Sequence, residues 1–110
     1  MWNKVKDYAG YWVSDDGLIM GPRGKVGRGV PNKAGYYRVK LYRNGHKKSV
    51  YVHQLVAQAF ILNPDGKPGV NHIDLDKSNN KASNLEWATP LQNSQHARAL
   101  KAWAPRCTAL

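Results

Sequence analysis

The chain has 110 residues, 42% of them hydrophobic, which suits one small domain with a modest core and argues against wholesale disorder. Seventeen Lys and Arg stand against seven Asp and Glu, a net charge of +10, and a lone Cys107 excludes an internal disulfide or a cysteine-based zinc site. No run approaches the ~20 apolar residues of a membrane span, and the start, Met-Trp-Asn-Lys-Val-Lys, lacks the apolar stretch of a signal peptide, so a reducing cytosol is expected.

The charge is unevenly spread: residues 1–50 carry eleven basic and three acidic side chains, residues 51–110 six and four. A concentrated positive field attracts polyanions, and nucleic acid is the leading partner, against a basic surface that serves solubility alone. A membrane surface would need a basic amphipathic helix, which the sequence does not offer.

In chain order, residues 11–19 read as a strand, a turn at Asp16-Gly17 and a second short strand. Residues 20–35, with five Gly and two Pro, read as a basic loop holding Arg23, Lys25 and Arg28. Its glycines lack the Gly-Lys-Ser/Thr ending of a phosphate loop. Asn44-Gly45 is the favoured type I′ pair and predicts a hairpin in which Arg43 opposes His46, Lys40 opposes Ser49 and Arg38 opposes Tyr51. Alternation then puts Tyr37, Val39, Leu41, Val50 and Val52 on a core face. Tyr36, Arg38, Lys40, Tyr42, Lys47, Ser49 and Tyr51 share the other face, suited equally to phosphate contact with base stacking and to plain solvation.

Val52, Leu55, Val56, Ala59 and Phe60 follow helical spacing, an amphipathic helix over residues 52–61. His53, beside that stripe, is expected to be a packed, hydrogen-bonded core residue. Asn63-Pro64-Asp65-Gly66 forms a turn. Val70-Asn71-His72-Ile73-Asp74 then reads as the end of one hairpin strand, a polar loop covers residues 74–84, and Leu85-Glu86-Trp87-Ala88 returns. Thr89, Pro90 and Gln92 carry a capping box with proline at the first helical position, starting a helix through Asn93 and His96 toward Ala102. If that helix crosses the hairpin, Asn93 and Asn71-His72 can converge on a hard, oxygen-ligated cation such as Mg²⁺, with neutral His72 taking a proton from water. The same residues also fit an ordinary polar turn.

Residues 52–97 resemble the HNH endonuclease module of the His-Me finger (ββα-metal) superfamily, of the phage and intron-associated type. The resemblance rests on Val52–Phe60, Val70–Asp74, Asn79-Asn80, Asn84–Trp87 and Thr89–Asn93. Residues 2–19, with Trp2, Tyr11–Ser14 and Gly17–Ile19, resemble the NUMOD-type module that often precedes it. The resemblance implies an α+β fold: a small antiparallel β unit, then an amphipathic helix and a ββα-metal core. The corresponding divisions are residues 1–50 for DNA contact, 51–102 for the nuclease core and 103–110 for a tail.

By the resemblance, His72 matches the general base, Asn84 the middle residue that braces the loop, and Asn93 the final metal-binding position. Asn71 stands where many relatives carry an Asp metal ligand. A neutral amide there predicts weaker metal affinity, with Asp74 either a substitute ligand or, the preferred reading, the residue that orders the next turn. His96 is read as a helix-surface residue ahead of a metal or phosphate contact. The implied chemistry is one-metal phosphodiester hydrolysis of double-stranded DNA with Mg²⁺, or Mn²⁺, leaving 5′-phosphate and 3′-hydroxyl ends. One centre per chain implies nicking, and Arg23, Arg28, Arg38, Lys40 and Lys47 are the expected phosphate contacts. Low sequence specificity is expected because few residues follow His96. The competing readings are an inactive HNH-scaffold DNA binder, a subunit of phage packaging machinery, and an RNA-binding ribosome-associated protein.

Overall fold

In the computed structural model, which describes residues 1–92, nine short strands and one α-helix form three antiparallel sheets around a common apolar cluster. The first sheet contains β1 (Trp2–Lys4), β2 (Trp12–Ser14), β3 (Ile19–Met20) and β4 (Val26–Gly27), in that order. Its β2–β3 turn is the one expected at Asp16-Gly17, with Gly17 at φ 86°, a conformation open to glycine at no steric cost.

The second sheet is β5 (Val30–Pro31), β6 (Tyr37–Arg43) and β7 (His46–Tyr51). The β6–β7 register is the expected one: Arg43 opposes His46, Lys40 opposes Ser49 and Arg38 opposes Tyr51. Asn44 and Gly45, at φ 52° and 78°, supply the two left-handed residues of a type I′ turn.

The expectation of a single loop over residues 20–35 is corrected by β4 and β5. These two-residue strands pair with β3 and β6, so the segment runs as sheet edges joined by turns. Gly29 shows why glycine is needed there: at φ 84°, a Cβ would lie 2.6 Å from the Arg38 carbonyl oxygen.

The helix α1 (Val52–Phe60) follows β7 directly and buries Val52, Leu55, Val56 and Ala57. These meet Val13 and Ile19 from the first sheet, Leu41 from the second, and Val70 and Leu85 from the third, so the buried cluster draws on both sides of residue 50. Specific polar ties supplement the apolar packing. The Tyr42 amide donates to the Tyr11 hydroxyl at 3.1 Å, Asn3 Nδ2 to the Ala59 carbonyl at 3.0 Å, and Trp87 Nε1 to the Ile61 carbonyl at 3.0 Å.

The third sheet is the hairpin β8 (Gly69–His72) and β9 (Leu85–Ala88), joined by a polar loop that ends in a 3₁₀ turn at Ala82–Asn84. Past β9 the capping box forms as expected: the Gln92 amide donates to Thr89 Oγ1 at 3.1 Å, and the Thr89 amide to Gln92 Oε1 at 3.0 Å. Residues 90–92 are helical, and the expected continuation through Asn93 and His96 lies outside the described residues. Among the described residues no helix is long and apolar enough to cross a membrane.

Candidate active site

His72 ends β8 and is 5% exposed. Its Nε2 lies 2.8 Å from Asn80 Oδ1, and an amide oxygen only accepts, so the ring donates from Nε2. Its Nδ1 has no hydrogen-bond partner among the described residues. The ring completes an aromatic group with Tyr36, Tyr51 and His53: the centroid of His72 is 5.1 Å from that of His53 and 6.1 Å from that of Tyr36. Tyr36 and Tyr51 in turn flank His53 at 5.4 and 5.2 Å.

His53 is packed as expected, but the expectation of hydrogen bonding is corrected at Nδ1, which is buried with no partner among the described residues. In the first turn of α1 it is surrounded by ring faces rather than polar groups. Burial, and secondarily the adjacent His72, push its pKa from 6.5 down to about 4, so it stays neutral near pH 7.

The loop between β8 and β9 is held by Asn84 and Asp74. Asn84 is buried, and its Oδ1 accepts from the Asp74 amide at 3.1 Å. Its Nδ2 donates to Asp74 Oδ1 at 2.8 Å and to the Asn79 carbonyl at 3.0 Å. Asp74 also accepts from the Asp76 amide at 2.8 Å and from Asn79 Nδ2 at 2.9 Å. Burial alone would raise its pKa, but the bonds from Asn79, Asp76 and Asn84, with the field of His72, together hold it below the ordinary carboxylate range. A carboxylate this engaged orders its turn. The turn also places Leu75 at φ 63°, with its amide donating to the His72 carbonyl at 2.9 Å.

Asn71 is buried and donates from Nδ2 to Glu86 Oε1 at 2.8 Å. This directs the carboxamide nitrogen to β9 and leaves Oδ1 as its remaining acceptor. The exposed Glu86 is the residue that sequence reasoning missed, although the hairpin contained the signal. Pairing His72 with Leu85 puts Asn71 opposite Glu86, and cross-strand partners share a face.

The structure brings Arg38 and Lys40 together with Lys25 around an open groove of about 550 Å³ between the first two sheets, also lined by Tyr11, Val30 and Ser49. Arg23 and Arg28 are exposed on the turns before and after β4, and Lys47 is exposed near the tip of the β6–β7 hairpin. The basic face of β6 leads to the histidines: Lys40, Arg38 and Tyr36 alternate along one side, and Tyr36 touches the ring cluster. Lys77 sits 4.6 Å above the Tyr36 ring and donates to the Ala34 carbonyl at 2.8 Å.

The model of the family described as HNH endonuclease matches residues 50–95, the segment that contains α1, the β8–β9 hairpin and the helix start. Residues 50–95 carry this match to the HNH endonuclease family. The chain is 35% identical over 97 residues to DNA endonuclease I-HmuI of Bacillus phage SP01, covering 86% of this chain and 56% of that protein. It is 40% identical over 87 residues to an HNH endonuclease of Acanthamoeba polyphaga mimivirus, covering 78% of this chain and 26% of that protein.

A solved structure of the HNH homing endonuclease I-HmuI, concerned with its DNA binding and cleavage, superposes with a TM-score of 0.83 at 33% identity. The match covers 92% of this chain and 59% of that one, so the α+β arrangement is that of an HNH homing endonuclease. The chain spans between about a quarter and just over half of these curated relatives.

Proposed function

We propose that this chain is the catalytic part of a divalent-metal-dependent DNA endonuclease in which His72 is the general base. The observation that carries the reading is the setting of His72. It lies at the end of the β8 strand of an HNH module, held through Nε2 by Asn80, where the basic and aromatic face of β6 ends. With Nε2 occupied, Nδ1 is the atom that takes a proton from the attacking water. Tyr36 and neutral His53 wall the ring and limit its movement.

The donor chemistry fits a hard cation. Asn71 Oδ1 and the Glu86 carboxylate are oxygen donors on one face of the hairpin, and Asn93 is the further oxygen donor that the family pattern supplies. Mg²⁺ or Mn²⁺ held there supplies positive charge to the scissile phosphate and the departing 3′ oxygen. Asn84 and Asp74 keep the loop closed so that His72 stays placed.

Residues 1–50 hold the duplex, consistent with the NUMOD-like pattern of residues 2–19, and residues 51–102 perform the cleavage. Arg38, Lys40, Lys47, Arg23 and Arg28 contact phosphates and position DNA without reading bases. Contacts of this kind follow the backbone, so this chain on its own nicks with low sequence preference. A phage endonuclease is among its relatives, which supports a bacterial host cytosol as its place of work.

A second reading, an HNH scaffold that binds DNA without cutting it, draws on the amide at Asn71. Glu86 weighs against it by returning a carboxylate to the same face. Incubating supercoiled plasmid with the chain in Mg²⁺ or Mn²⁺, with and without EDTA, separates the two. Metal-dependent nicked circles support the nuclease, and binding without nicking in either metal sinks it.

A further inference from the structure

The β2–β3 turn of the first sheet reaches the loop that serves His72. The Ala82 amide donates to the Asp15 carbonyl at 2.8 Å, tying the turn to the 3₁₀ segment that follows Asn80. Gly17 lies directly against Asn80: a Cβ there would sit 2.9 Å from Asn80 Cβ and 3.0 Å from its carbonyl oxygen, at a φ of 86° that side chains rarely adopt. The turn is itself rigid. The buried Ser14 hydroxyl accepts from the Leu18 amide at 3.0 Å and from the Asp16 amide at 3.3 Å, while the Ser14 amide donates to the Leu18 carbonyl at 2.8 Å. Asn80 is 5% exposed, so the turn and the hairpin loop enclose it.

We propose that Asn80 is the positioning residue that fixes the tautomer of His72, and that the Ser14–Leu18 turn, through Gly17, holds Asn80 in place for it. This rests on the reading of His72 as the general base. A neutral imidazole carries its proton on either nitrogen, and which one is set by the hydrogen bond the ring makes. With Asn80 Oδ1 2.8 Å from Nε2, the proton is kept on Nε2 and the lone pair on Nδ1. Without that acceptor a fraction of the molecules carries the proton on Nδ1, where no base is available. The N-terminal sheet therefore supports the catalytic residue in addition to any contact it makes with DNA.

The test uses the full chain labelled with ¹⁵N in its histidine rings and free of metal, followed by plasmid nicking in Mg²⁺. Expected in the parent is a His72 ring protonated only at Nε2. Asn80→Leu, similar in volume but with no acceptor, should show mixed tautomers and, with the ring no longer held in one orientation, a kcat lowered roughly 10- to 100-fold at unchanged KM. Asn80→Asp restores an acceptor and should restore both the single tautomer and a rate within about tenfold of the parent. Gly17→Ala should mix the tautomers and lower kcat in the same direction.

Should Asn80→Leu fail to fold, Asn80→Asp and Gly17→Ala still decide the matter. A parent His72 protonated at Nδ1, or an Asn80→Leu chain with a pure Nε2–H ring and unchanged kcat, overturns the proposal. Gly17→Ala with a parental ring spectrum and rate overturns the part assigned to the turn. If the parent does not nick at all, the nuclease reading fails, while the ring spectra still report whether Asn80 sets the tautomer.

Discussion

The rings of His53 and His72 meet edge to face, at a centroid separation of 5.1 Å and an interplanar angle of 62°. One ring ends a strand and has a polar partner, whereas the other is in a helix and has a buried nitrogen with no partner among the described residues. That difference has a consequence for stability. His53 has a folded pKa of about 4 against an unfolded 6.5, so below pH 6.5 the unfolded chain binds a proton that the folded chain refuses. Its contribution is fully present above pH 6.5, is lost as pH falls toward 4, and amounts to about 3 kcal/mol over the window. Urea titrations at pH 7 and pH 4.5 should show the parent losing stability and His53→Phe, which keeps the stacking without the titration, losing clearly less. Equal losses in the two proteins would assign the pH dependence elsewhere.

His72→Ala should abolish most cleavage with little effect on fold or DNA affinity. Loss of a general base costs ~10²–10⁴ in rate. Single-turnover nicking of supercoiled plasmid, with the melting temperature and a gel-shift titration as controls, measures it. Activity within tenfold of the parent would remove His72 from the role and return attention to His53 and His96.

Asn71 and Glu86 lead to a prediction about metal. Replacing Asn71 by Asp sets two carboxylates where a 2.8 Å amide-to-carboxylate bond now stands. Without metal the variant should be less stable, on the order of 1 kcal/mol, because like charges repel at that distance. With Mn²⁺ it should bind roughly tenfold tighter, since a full charge attracts a divalent ion more strongly than a dipole does. Glu86→Gln should shift Mn²⁺ binding the opposite way. Titration calorimetry with Mn²⁺ alone reads both, and parental affinity in Glu86→Gln would exclude Glu86 from the metal's surroundings.

The elements that were legible in the sequence are those with a local physical signature. Asn44-Gly45 fixes the β6–β7 register because both residues tolerate positive φ, and Thr89 with Gln92 announces a helix start because each satisfies the other's amide. The strands β4 and β5 were not legible, since two residues in a glycine-rich segment show no alternation. Site residues divide in the same way. His72, Asn80 and Asn84 stand in ordered motifs, whereas the role of Gly17 arises from its contact with Asn80, more than sixty residues away, which no spacing encodes. Asn93 belongs to the motif but lies outside the described residues.

Arg38 and Lys40 stand on the β6 face that leads through Tyr36 to His72, and with Lys25 they border the groove between the first two sheets. Cations of this kind release counterions from the duplex, so binding should weaken steeply with salt and to a similar degree for unrelated sequences. The double variant Arg38→Ala, Lys40→Ala should weaken binding to all duplexes alike and flatten the log–log salt slope by roughly 0.9 for each phosphate left without its cation. Fluorescence anisotropy on two unrelated duplexes across a salt series measures both effects. Cations that contact only the backbone do not read bases, so on this proposal nicks mapped along a long duplex should be scattered. One dominant nick site at physiological salt would instead mean that a segment of this chain reads sequence, and the β6–β7 ribbon, with Tyr42 and Lys47 exposed near its tip, would be the first place to look.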